Sequence, residues 1–248
     1  MMLKLDENCS TENISVKYSE MDHNLALKPY SLLNYLQDIA SANAEKLGFG
    51  YSYIVEKNYA WFLIKYRMEF EEYPIGLYDV ILHTKPRGYN KLFAYREFEL
   101  CSKEKSLGRI FSMWTLVDIE SRNPVLIQNA IDNPLMKPLE KQEDDLSFGK
   151  IKMNNEPSYT KEFEVRYNDL DVNGHANNGN YIVWAFEPLP FDFKTNNKIK
   201  TVDMMYKKEA KYGEKLLVEV GFNDDKTTVH IVKNMHGDEI CLIQCTWT

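Results

Sequence analysis

Residues 165–184 read VRYNDLDVNGHANNGNYIVW, and residues 16–22 read VKYSEMD, which matches the opening VRYNDLD at every position by identity or close exchange. The two heptapeptides lie 149 residues apart, from Val16 to Val165. If the match marks a duplication, the segments downstream of the two copies should correspond too. After the first comes KPYSLLNYLQDIASANAEKLGFG. Pro29 suits a first helical turn, and Leu32, Leu36, Ile39, Asn43 and Leu47 step at helical spacing with one polar exception. Gly48 is a natural stop. After the second copy a shorter helix is predicted around YIVWAF, halted by Pro188 and Pro190.

Strand-like runs come after both helices. In the first half these are YAWFLIKYRMEFEEY, LYDVILHTKP, NKLFAYREFELCS and GRIFSMWTLVDI; in the second, KIKTVDMMYKKEA, KLLVEVGF, TTVHIVKN and EICLIQCTWT. Alternation, with turn residues at Arg87-Gly88 and from Lys105 to Gly108, predicts antiparallel hairpins. Both series end on a Trp-Thr pair, at Trp114-Thr115 and Trp247-Thr248. Each half therefore reads as strand, helix and a run of antiparallel strands. The fold class is α+β: a curved antiparallel sheet wrapped around a central helix is a hot-dog fold, and two copies make a tandem hot dog. The expected domains are residues 1–128 and 159–248, joined by a charged, poorly periodic linker over 129–158.

Composition narrows the function classes. The 248 residues are 44% hydrophobic, 13% aromatic and 27% charged, an ordinary globular balance able to bury a large core. No apolar run is long enough to span a bilayer, and the N-terminus lacks signal or transit character, so no membrane insertion and a cytoplasmic location are expected. A formal charge of −7 argues against nucleic-acid binding. Cys9, Cys101, Cys241 and Cys245 form no CxxC pair and read as buried free thiols.

Asp171, Asn173 and His175 occupy alternate positions, so in an extended stretch their side chains share a face and converge. Asn177 and Asn178 are candidate N-caps for the next helix, whose first amides suit a developing oxyanion. A carboxylate, a carboxamide, an imidazole and a helix N-terminus together fit hydrolysis of an activated acyl group. No G-x-S-x-G nucleophile elbow is present. Asn, Asp and Gly also build functionless turns. The upstream copy tells against that reading: Asp22 and Asn24 correspond to Asp171 and Asn173, but Ala26 corresponds to His175. The repeated scaffold does not require the histidine.

DLDVNGHANNGNYIVWAFE, residues 169–187, resembles the catalytic segment of acyl-acyl-carrier-protein thioesterases, Asp-Leu-Asp-x-Asn-x-His-x-Asn-Asn-x-x-Tyr-Ile-x-Trp. NYLQDIASANAEKLGFG resembles that family's N-terminal hot-dog helix, and YAWFLIKYRMEFEEYPIGLYDVILHT, AYREFEL and SMWTLVD resemble its strands, so the likeness spans most of the chain. It implies catalytic roles for Asp171, Asn173 and His175, and for an acidic residue on the next strand that maps to Glu209. Many members carry a cysteine after that glutamate, where this chain has Ala210, which excludes a cysteine nucleophile there. The resemblance implies water-mediated hydrolysis of fatty acyl-carrier thioesters, ending fatty acid synthesis, with Asp171 or Glu209 activating water or one of them attacking directly. His175 supports that carboxylate or protonates the thiolate, and Asn173 holds the pose. Residues around Leu36 and Trp61 are implied to line an acyl tunnel in the first half. No metal or cofactor is expected.

The implied partners are a fatty acyl chain and an acidic acyl carrier protein docking on a local basic patch, either Lys198, Lys200, Lys207, Lys208 and Lys211 or Lys85, Arg87 and Lys91. A tandem hot dog already contains its pseudo-dimer interface, so a monomer and a homodimer are equally compatible. Three rivals stand beside this reading: an acyl-CoA hydrolase, a hot-dog dehydratase and a non-catalytic acyl-thioester-binding module, the last disfavoured by the intact Asp-Asn-His-Glu set.

Overall fold

The computed structural model describes residue 3, residues 5–143 and residues 145–248. The first half contains strand β1 (Ser10–Ser15), helices α1 (Pro29–Lys46) and α2 (Tyr51–Glu56), and strands β2 (Tyr59–Phe70), β3 (Asp79–Asn90), β4 (Phe93–Cys101) and β5 (Ser106–Asp118). A short helix α3 (Ile127–Ala130) precedes the second half. That half holds β6 (Tyr159–Glu164), α4 (Asn178–Phe186), α5 (Phe191–Asn196), β7 (Ile199–Tyr206), β8 (Lys215–Asp224), β9 (Thr227–Asn234) and β10 (Glu239–Trp247). The matched heptapeptides contain equivalent single 3-10 turns, Tyr18–Glu20 and Tyr167–Asp169.

One ten-stranded antiparallel sheet runs β1-β3-β4-β5-β2-β7-β10-β9-β8-β6. Read outward from the central β2–β7 pair, the two wings have the same order, which is the signature of a duplicated tandem hot dog. The seam pairs Lys65 with Met205 through Glu69 with Thr201. Across it Arg67 bridges Asp203 and Glu69. The connecting segment crosses here too, with the Gly149 amide donating to Asp203 Oδ1 at 3.3 Å. Burial raises the Asp203 carboxyl above its ordinary range, and Arg67 opposes that shift.

The long α1 buries Leu32, Leu33, Leu36, Ile39 and Ala40, and ends at Gly48, whose φ of +81° favours glycine. The polar exception in its stripe, Asn43, is fully buried because it meets a buried arginine. Arg96 Nη1 donates to Asn43 Oδ1 at 2.7 Å, and Asn43 Nδ2 donates to Asn8 O and Ser10 Oγ. Arg87-Gly88 is not the expected hairpin turn. β3 continues through it with a bulge between Pro86 and Gly88, and the chain reverses at Lys91 instead. Gly88 is needed for close approach, since a Cβ there would lie 2.5 Å from Lys137 O.

The two halves differ inside. In the first, a cavity of about 90 Å³ lies between the later turns of α1 and the sheet, lined by Ala40, Ala44, Trp61, Ala94, Arg96 and Trp114 among others. In the second, Phe186, Phe193 and Trp247 pack ring to ring, with His230 against Phe186 and Phe222 against Phe193. His230 is fully buried, its Nδ1 2.6 Å from Ala185 O and its Nε2 2.9 Å from Thr228 Oγ1; burial pushes its pKa down to about 4. Among the described residues no helix is long and apolar enough to cross a membrane.

Candidate active site

The stretch from Asp171 to His175 is a tight turn rather than an extended strand. The Asp171 carboxylate closes it, with Oδ1 accepting from the Asn173 amide at 2.8 Å and the His175 amide at 3.2 Å. The Asp171 amide donates to His175 O at 2.7 Å, and Gly174 takes a φ of +78°. Alternate side chains therefore do not share a strand face, and Asn173 is exposed at the tip. No hydrogen bond of its side chain is found among the described residues.

The first half builds the same turn. Asp22 Oδ1 accepts from the Asn24 amide at 2.8 Å and the Ala26 amide at 2.9 Å. Asp22 and Asp171 therefore share a loop-shaping role, exercised equally in the half that has no histidine.

What distinguishes the second half is the partner of His175. Glu209 Oε1 lies 3.2 Å from His175 Nδ1, both side chains partly accessible. Glu209 is not on a strand: β7 ends at Tyr206, and the glutamate sits in the loop to β8. That loop is docked by a backbone bridge between His175 and Lys211 and by the Ala176 amide donating to Ala210 O at 2.9 Å. The Ala210 amide in turn donates to the Tyr181 hydroxyl at 3.0 Å, so α4 fixes the glutamate's neighbour. Burial holds the Tyr181 phenol well above its ordinary pKa and keeps it protonated. In the first half the Leu27 amide donates to Pro74 O at 3.0 Å in the same way, which places Tyr73 where Glu209 stands. Tyr73 is buried and donates to Leu27 O at 2.7 Å. A histidine–glutamate pair in one half is an alanine–tyrosine pair in the other.

The start of α4 completes the site. Asn177 caps it, its Oδ1 accepting from the Gly179 amide at 2.7 Å. Asn180 Nδ2 donates to Asp169 O at 2.8 Å, and Tyr206 donates to Asn178 O at 3.1 Å, which pin the first turn from both sides. The Asn178 amide donates to no group among the described residues. It is the first amide of α4, at the positive end of the helix. Asn178 Nδ2 reaches across to Gln37 of α1.

Of the tunnel candidates, Trp61 lines the cavity and donates from Nε1 to Phe49 O at 3.3 Å; Leu36 is fully buried in the core and is not on the cavity wall. Sequence reasoning missed Arg96, a guanidinium on that wall whose pKa burial lowers to about 10. The polar Asn43 in an apolar stripe was its only signal. Each expected basic patch is partly paired with carboxylates. Arg87 is buried against Glu97 and Asp145, Lys85 lies beside Glu97, and Lys207 and Lys208 pair with Glu239 and Asp238. Among the described residues no His, Cys, Asp or Glu group of three or more could hold a metal ion.

The family model of the acyl-ACP thioesterase N-terminal domain matches residues 7–135, and that of the C-terminal domain matches residues 152–248. A chloroplastic palmitoyl-acyl carrier protein thioesterase of Cuphea hookeriana is 24% identical over 212 residues, 80% of this chain and 51% of that protein. A chloroplastic oleoyl-acyl carrier protein thioesterase of Arabidopsis thaliana is 22% identical over 216 residues, covering 80% and 59%. The chain thus spans about half the length of the curated relatives it matches. Its fold is shared with an acyl-ACP thioesterase from Bacteroides thetaiotaomicron at a TM-score of 0.88 and 22% identity, covering 97% of this chain and 98% of that one. A 12:0-ACP thioesterase from Umbellularia californica superposes at 0.82 with 19% identity, each chain 99% covered.

Proposed function

The chain belongs to the acyl-ACP thioesterase family, and from that membership we propose that it hydrolyses fatty acyl-acyl-carrier-protein thioesters to free fatty acid and the carrier thiol, ending chain elongation. The observation that carries this reading is the His175–Glu209 pair beside the unpaired first amide of α4, present in one half of a duplicated fold and replaced by Ala26 and Tyr73 in the other.

In the proposed reaction the thioester carbonyl lies against the start of α4, where the Asn178 amide stabilises its oxygen as charge develops. Glu209, as carboxylate, accepts a proton from water while the water oxygen bonds to the acyl carbon. The carbon–sulfur bond then breaks, and His175, as imidazolium, gives its proton to the departing thiolate. Proton return from Glu209 to His175 restores the pair. Asp171 holds the turn that aims His175. Asn173, exposed at the tip, would meet the substrate from the solvent side. The open interior of the first half and the ring-filled interior of the second support a division of labour, with residues 1–128 holding the acyl chain and 159–248 doing the chemistry.

Free-acid release should be measured over a panel of acyl chains, each supplied on acyl carrier protein and on coenzyme A. Hydrolysis with the carrier thioesters preferred supports the reading. Equal or better rates on coenzyme A would make the chain an acyl-CoA hydrolase, and no free acid from either would remove the hydrolase reading.

A further inference from the structure

The face of α1 that meets α4 carries two buried polar atoms without a hydrogen-bond partner among the described residues. Gln37 Oε1 accepts from Asn178 Nδ2 at 3.3 Å, an arrangement that turns the Gln37 nitrogen away from Asn178. That nitrogen, Gln37 Nε2, is buried without a hydrogen-bond partner among the described residues. One helical turn earlier, Asn34 Oδ1 is buried and equally unpartnered. It lies against the first turn of α4, where a Cβ on Gly179 would come within 3.2 Å of it. Buried polar atoms are nearly always satisfied, and leaving one unpaired is costly. Here a donor and an acceptor, one turn apart on one helix face, both border the helix start where the thioester is proposed to sit.

We infer that Gln37 and Asn34 read the acyl-cysteamine end of the substrate: Gln37 Nε2 donates to the thioester carbonyl oxygen beside the Asn178 amide, and Asn34 Oδ1 accepts from the nearest pantetheine amide N–H. In such a thioester the carbonyl and that N–H are separated by the sulfur and two methylenes, a span comparable to one helical turn of about 5.4 Å. The donor–acceptor polarity also matches. Gln37 is then a second oxyanion donor supplied by the half that lacks the histidine, and Asn34 selects pantetheine thioesters over simple alkyl ones. This rests on the proposed hydrolysis and deepens it.

Two small substrates with one acyl chain separate these roles: an N-acetylcysteamine thioester, and an S-alkyl thioester in which methylenes replace the amide. The wild-type chain should favour the first. Asn34→Ala should shrink that preference in kcat/KM by at least about tenfold, because a site built to bond an N–H discriminates strongly against its absence. Asn34→Asp, which keeps an acceptor, should preserve the preference. Gln37→Ala and Gln37→Glu should both lower kcat on both substrates by about 100-fold with KM little changed; the second keeps the bond from Asn178 but loses the donor. Thermal unfolding of each variant reports on folding independently. An unchanged substrate preference in Asn34→Ala together with wild-type kcat in Gln37→Glu overturns the inference and leaves the hydrolase standing. A wild-type chain that cleaves neither thioester nor any acyl carrier thioester removes both.

Discussion

At the scale of single residues, one half of the molecule differs from the other by a few side chains on a common frame. His175 and Glu209 replace Ala26 and Tyr73, and the proposed chemistry rests on that exchange. The histidine was legible because the motif and the missing counterpart could both be read from the chain. Gln37 and Arg96 were not, since each acts through partners distant in sequence. Buried His230 makes a prediction of its own. Ala185 O can only accept, so the neutral His230 ring donates to it from Nδ1 and its Nε2 accepts from the Thr228 hydroxyl, which itself accepts from Trp247 Nε1. Its folded pKa, about 4, lies below its unfolded value near 6.5, so the folded state binds that proton less tightly. The contribution to stability is full above pH 6.5 and is lost as pH falls toward 4. Urea unfolding at pH 7 and pH 5 should show a loss from this group of about 2 kcal/mol, and His230→Gln should flatten that part of the profile. An equally steep profile in the variant would assign the loss elsewhere.

At the scale of elements, the long helix, the repeat and most strands are legible from periodicity, because apolar faces must be buried whatever the rest does. Two readings failed for one physical reason: a glycine of positive φ serves several structures. Gly174 belongs to a side-chain-closed turn, which cancels the alternation expected of Asp171, Asn173 and His175. Gly88 marks a bulge where the connecting segment crosses β3. The twin turns allow a paired experiment. Asp22→Ala and Asp171→Ala each remove one carboxylate oxygen accepting from two amides, so each should destabilise by roughly 1–2 kcal/mol. Only Asp171→Ala should also depress kcat, because only its turn carries a histidine. Equal kcat losses in the two variants would mean that both turns contribute to the chemistry.

At the scale of the whole molecule, the halves share one sheet and one principal core that draws residues from both. Urea should therefore unfold the chain in a single transition; two resolved transitions would mean that the halves are stable separately. Asp203, nearly buried at the seam between Arg67 and the Gly149 amide, should matter far from the active site. Asp203→Ala should lower stability by roughly 3 kcal/mol, since it leaves a half-buried guanidinium with Glu69 alone, while KM and kcat stay near wild type. The seam also brings α1 of one half against α4 of the other, so the proposed centre draws on both copies of the duplicated unit. The most direct measurement is free-acid release from acyl carrier thioesters by the wild-type chain, His175→Ala and Glu209→Gln at matched concentration. Steady turnover by the wild type, with kcat falling about 100-fold or more in each variant and unfolding midpoints unchanged, is the expected result. Either folded variant turning over at the wild-type rate would contradict a catalytic pair at the start of α4.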